Sequence, residues 1–174
     1  MEPAPDKLLK VYLNDHLALM IGSERLAGRC RSSNSGLTLA GYLQDLMGEI
    51  RTDVNTVRRI LTSLDARESR VKVVLVKIGE KIGRLKLNGR LTGYSPLSRV
   101  VELQQLLLLR SATESLWSTL REVPDLPAVD PAKLQQGIET AREGQVKLHE
   151  HLVAAAGVAF GSRTGNTAAR GTGP

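Results

Sequence analysis

Aromatic side chains are nearly missing from this chain: 174 residues hold only Tyr12, Tyr42, Tyr94, Trp117 and Phe160. Sheets draw on aromatic and β-branched residues, so an aliphatic composition rich in Leu, Val, Ile and Ala argues for packed helices instead. Cysteine is limited to Cys30, which excludes an internal disulfide. No uncharged stretch approaches the roughly 20 apolar residues that a membrane-spanning helix needs. Glu2, Asp6 and Asp15 interrupt any apolar signal-peptide core, and a cytoplasmic location is the expectation. A nucleotide-binding loop is missing too: Gly79-x-x-x-Gly83 has neither the following Lys-Ser/Thr nor a preceding strand pattern.

What is present is helical periodicity. Asp6, after Pro5, is read as the N-cap of a helix over about 6–31, with Leu8, Tyr12, Leu19 and Leu26 at helical spacing. Residues 32–36, Ser-Ser-Asn-Ser-Gly, form a turn by composition. A second helix over about 37–66 carries Leu39, Leu43, Leu46, Ile50, Val54, Val57, Leu61 and Leu64 on one stripe. Ser95-Pro96 and Asp130-Pro131 each open a further helix, because proline at the first helical position forfeits no hydrogen bond. The last has Leu134, Ile138, Ala141, Gln145, Leu148, Leu152, Ala155 and Ala159 on one face, and Leu46, Ile50, Leu148 and Leu152 are expected at mid-core. From residue 161 the composition predicts a disordered tail, which leaves one domain over 1–160. Short links make the first and last helix pairs hairpins, while 67–95 is long enough to return along the bundle and includes a short amphipathic helix pattern, Val71, Leu75, Ile78, Ile82 and Leu85. Two hairpins joined by one long crossover is the connectivity of ferritin-like four-helix bundles, and that all-α fold is the expectation.

Three segments also carry a family resemblance: Tyr12-Leu13-Asn14-Asp15-His16-Leu17-Ala18, Gly79-Glu80-Lys81-Ile82-Gly83-Arg84-Leu85-Lys86-Leu87-Asn88-Gly89-Arg90, and Ser95-Pro96-Leu97-Ser98-Arg99. Together they resemble an uncharacterised actinobacterial family associated with a ferritin-like helical bundle, over a span from Tyr12 to about Leu152. The resemblance implies the fold and a bacterial cytoplasm. It brings no catalytic residues.

The metal chemistry of ferritin-like bundles makes a definite demand: single glutamates on two helices and a Glu-x-x-His on each of the others. Glu24 and Glu102 are candidates for the single carboxylates. The paired motif is not there: Val146 stands three before His149, and Thr52, Gly48 and Thr56 stand three after Glu49, Asp45 and Asp53. His149 and His151, two apart, point about 200° from one another on a helix. His16 is read as a half-buried structural histidine. No cofactor and no catalytic residue is expected, with a degenerate di-iron oxidoreductase or metal-storage protein as the alternative. Cys30 lies between Arg29 and Arg31, which favour a thiolate, yet no histidine stands near it in sequence. Arg110 and Glu114 are expected to form a partly shielded pair on one helix.

The charge is distributed unevenly. Between 70 and 90 lie Arg70, Lys72, Lys77, Lys81, Arg84, Lys86 and Arg90 against the single anion Glu80, a local +6 that equals the net charge of the whole chain. The other 153 residues balance at 17 of each sign. Those seven cations are the candidate interaction surface, for an acidic protein or an anionic membrane. Nucleic acid ranks lower, because no aromatic residue lies within 70–90 to stack on bases.

Overall fold

The structure, a computed structural model, describes residues 4–66 and 94–161. All regular structure among them is helical: α1 Pro5–Ser33, α2 Thr38–Ser63, α3 Pro96–Arg121 and α4 Pro131–Phe160. At 1.5 Å per residue these are rods of about 39–45 Å, so four apolar stripes of similar length can be buried against one another.

The helix ends follow their local chemistry. Ser95 caps α3 by accepting from the Ser98 amide at 3.1 Å, and Ser98 Oγ returns the contact to the Ser95 amide. Asp130 caps α4 through the Ala132 amide at 2.8 Å. Helix α2 stops where Asp65 turns to φ 51°. The Asp65 and Ala66 amides then donate back to Thr62 and Leu61, the Schellman arrangement, which satisfies carbonyls left open at a helix end. At α1 the expectation needs correction: Ala4 is the cap residue, with no side-chain cap bond, and Asp6 lies in the first turn. A carboxylate there still faces the positive end of the helix dipole.

Helix α1 packs on α2 and α3, α4 packs closely on α3, and the α2–α4 seam is the lightest of the four. Contacts fix the directions. Arg29 near the end of α1 reaches Glu102 near the start of α3, and Tyr42 near the start of α2 meets His151 in the second half of α4. Neighbouring helices therefore run antiparallel, and α2 and α3 stand parallel on the diagonal. Tyr94 touches Asn34 at the α1–α2 turn, whereas Ala66 lies just past the far end of α2. The chain thus leaves one end of the bundle and re-enters at the other. The crossover helix pattern within 67–93 and the tail beyond 161 lie outside the described residues.

The core is aliphatic, as composition demands. Leu43, Val57, Leu103, Leu116, Leu148 and their neighbours are fully buried, and the α2 stripe is buried as read except for half-buried Leu64. The α1 stripe is a correction. Leu8 is 55% exposed and Leu13, Leu17, Met20 and Ala27 are the buried line, while of the expected residues only Leu26 is fully buried. Val11, Tyr12 and Leu13 follow Leu8 and Leu9, so several stripes satisfy helical spacing there. Contact with both α2 and α3 selects one rotated from the expected line.

Two glycines of α4 are steric requirements. A Cβ on Gly137 would lie 2.9 Å from Trp117 Cδ1, and one on Gly144 would lie 2.9 Å from Arg110 Nε. A Cβ on exposed Gly48 of α2 would meet nothing within 4 Å. Opposite outcomes are expected from the same substitution in urea melts. Gly48→Ala should stabilise by up to about 1 kcal/mol through helix propensity. Gly137→Ala should destabilise by roughly 1–3 kcal/mol, because the buried indole has nowhere to move. A gain at both positions would mean that α4 does not approach Trp117 so closely.

Candidate functional site

The carboxylates considered for a metal are each committed to a basic side chain. Glu24 accepts from Arg51 at 2.6 Å. Glu102, 8% exposed, accepts from Arg29 at 2.9 Å and from the Tyr94 hydroxyl at 3.0 Å. His16 stands edge-on to Tyr12, with burial holding its pKa down against the pull of Asp15. His151 lies against the Tyr42 ring at 4.9 Å, and His149 is exposed. Among the described residues no group of three or more His, Cys, Asp or Glu is placed to hold a metal ion. The donor set among the described residues does not fit a di-metal centre.

The interior does hold a cation, supplied by the protein. Arg110 of α3, 3% exposed, reaches across the diagonal to α2, donating from Nη1 to Asp53 at 2.7 Å and from Nη2 to Glu49 at 2.8 Å. Glu49 and Asp53 are four apart, so one helical face presents both. Two carboxylates share one guanidinium, which leaves an excess negative charge beside the core. Burial pushes the Asp53 carboxyl up to about 6 despite the attraction of Arg110. Burial also raises Glu49, against Arg110 and Lys147 and helped by Glu143 and Asp45. Trp117 turns its indole N–H toward Asp53, giving slight support to the carboxylate, but closes no hydrogen bond; Trp117 Nε1 and Arg110 Nε are buried without an acceptor. Tyr42 completes the centre, its hydroxyl donating to the Gly144 carbonyl at 3.0 Å across the α2–α4 seam.

This arrangement replaces the expected Arg110–Glu114 pair. Position 110 points into the bundle, while Glu114, on the flank of α3 toward α4, accepts from Arg142 at 2.6 Å and from Gln145 at 2.7 Å. Each side chain finds its opposite charge on another helix, where packing holds the partner in place at less entropic cost than along one exposed face.

A second polar network closes the end at which the chain re-enters. The Asn34 amide donates to the Cys30 carbonyl at 2.7 Å and to the Tyr94 hydroxyl at 2.9 Å, and its oxygen accepts from Arg99 Nε. Cys30 Sγ lies 3.7 Å from that hydroxyl. The flanking arginines do not activate the thiol: Arg29 is turned to Glu102, Arg31 is exposed, and burial pushes Cys30 up to about 12. A thiol that stays protonated in a closed network serves as packing, not as a nucleophile.

The seven cations of the candidate interaction surface lie outside the described residues. No described helix is long and apolar enough to cross a membrane. Comparison with protein-family models, with curated proteins and with solved structures finds no match to this chain.

Proposed function

We propose that this chain is a ferritin-like four-helix bundle without a metal centre that works in the cytoplasm by binding, with Arg70, Lys72, Lys77, Lys81, Arg84, Lys86 and Arg90 as its contact surface for an anionic partner, an acidic protein or a membrane leaflet. The observation that carries this reading is the concentration of the whole net charge, +6, in the 21 residues 70–90. Support comes from the bundle itself. Its buried acidic residues, Asp53 and Glu102, are engaged by arginines, and among the described residues no group of three or more His, Cys, Asp or Glu is placed to hold a metal ion. The order of hairpin, long connection and hairpin is that of ferritin-like folds, and the bundle offers 67–93 two anchoring points at opposite ends.

Such binding would be mainly electrostatic. Each Lys or Arg near an anionic leaflet contributes roughly 1 kcal/mol, decaying within a Debye length. Vesicles containing anionic lipid should bind the full chain at about 50 mM salt and release most of it by about 200 mM, while neutral vesicles should not bind. Lys77→Gln with Lys81→Gln and Arg84→Gln should abolish binding and leave the melting curve unchanged. An acidic polypeptide that competes where duplex DNA does not would favour a protein partner. Indifference to all three polyanions at about 50 mM salt would overturn the proposal.

A further inference from the structure

Helices α2 and α4 make the lightest of the four seams, and the excess charge of the bundle interior borders it. Around the pair Glu49 and Asp53, α2 itself adds Asp45; α3 presents Arg110 and Trp117; α4 presents Lys147 and Glu143. His151 stands on the same seam against Tyr42. Helix α1 meets the other flank of α2, where Glu24 is neutralised by Arg51. Glu49, Asp53 and Arg110 by themselves carry one negative charge in excess. Lys147 and solvent temper it at Glu49, which is about a third exposed, whereas Asp53 is buried beside Arg110. Charge in such a buried place is relieved most simply by binding a proton.

We propose that Glu49, Asp53 and Arg110 form a proton-responsive clasp: uptake of one proton as the medium turns mildly acidic firms the α2–α4 seam, and its release toward neutrality loosens it. Asp53 is the receiving group. It is the more buried carboxylate, and its carboxyl is pushed from 3.8 up to about 6. Because the folded state holds the proton more tightly than the unfolded chain, stability rises as pH falls through about 6 toward 3.8 and is lost as pH rises through the same window. His16 acts in the opposite sense, since burial disfavours its charged form. The variants must therefore separate the two.

Trp117 is the sole tryptophan and its indole N–H points toward Asp53, so the protein carries its own reporter. In a pH series from 4.5 to 8 on the full chain, the indole 1H–15N cross-peak should shift with a midpoint near 6 and cease to titrate in Asp53→Asn. The unfolding equilibrium constant of the wild type should fall roughly 30-fold more than that of Asp53→Asn between pH 7.5 and 4.5. Exchange protection of α4 amides near Gly144 should rise in step. If Asp53→Asn fails to fold, Glu49→Gln serves: removing that neighbouring anion should move the indole midpoint to lower pH. An indole signal that does not titrate, that titrates unchanged in Asp53→Asn, or whose midpoint ignores Glu49→Gln would overturn the clasp.

Discussion

Replacing Arg110 with methionine is expected to destabilise the bundle by about 3–5 kcal/mol at neutral pH, more than its loss of packing alone would suggest. Methionine fills a similar volume and keeps the aliphatic stem, so little cavity forms. What is lost is the cation bonded to both Asp53 and Glu49. Asp53, 9% exposed, would then have to hold a charge with no partner or take a proton against neutral solvent. The deficit should shrink as pH is lowered toward 5, because Asp53, whose carboxyl burial already pushes up to about 6, then takes a proton. Replacing all three residues together, Glu49 and Asp53 by leucine and Arg110 by methionine, should be nearly neutral or stabilising, since the cost lies in unpaired buried charge and not in the absence of the ion cluster. Urea denaturation of the single and triple variants at pH 7.5 and 5 separates these effects. A single-variant loss under about 1 kcal/mol would mean that the interior is wetter than its burial suggests.

The sequence makes the four helices legible because their signals are local. Ser95-Pro96 and Asp130-Pro131 carry cap and first-turn chemistry in adjacent residues, and the α2 stripe repeats at a single clear period over seven turns. Helix α1 was harder to read for the opposite reason. With Leu8, Leu9, Val11, Tyr12 and Leu13 in one run, periodicity defines no single face, and only contact with α2 and α3 shows that Leu13 and Leu17 are buried while Leu8 is exposed. The Arg110 centre has a signal in the sequence that lies in the helix stripe and not in adjacent charges. Arg110 interrupts a buried row, Leu103, Leu106, Thr113, Trp117 and Leu120, that is apolar but for Thr113, and a charge on a core stripe must find partners across the bundle. Glu49 and Asp53, four apart beside the α2 stripe, are such partners. Which carboxylates would meet the arginine depends on the pairing of helices, and no spacing within one helix contains that information. The same holds for Cys30: its flanking arginines favour a thiolate, the lack of a nearby histidine argues for an ordinary thiol, and only its neighbours in space show the burial that keeps it protonated.

Truncation of the mid-bundle leucines is expected to have the other large effect. Leu148 of α4 and Leu46 of α2 are 0% and 1% exposed, and each packs in the aliphatic core. Changing either to alanine removes three carbon atoms and should cost about 2–5 kcal/mol, the upper end applying where helices held by tight neighbours cannot close the gap. Leu148 should lie near that end. It stands one turn from Gly144, where α4 is already in contact with Arg110, so the helix has no slack with which to settle into the space. Leu152, one turn further on, was expected at mid-core as well, yet it is only partly buried against the same cluster. Its alanine variant should lose roughly half as much, because part of its surface is in water before the change. Thermal and urea melts of the three variants at one pH give the order directly. Equal losses at Leu148 and Leu152 would mean that the end of α4 is covered more fully than the described residues cover it, and near-neutral results at Leu46 and Leu148 would mean that the four stripes do not share one core.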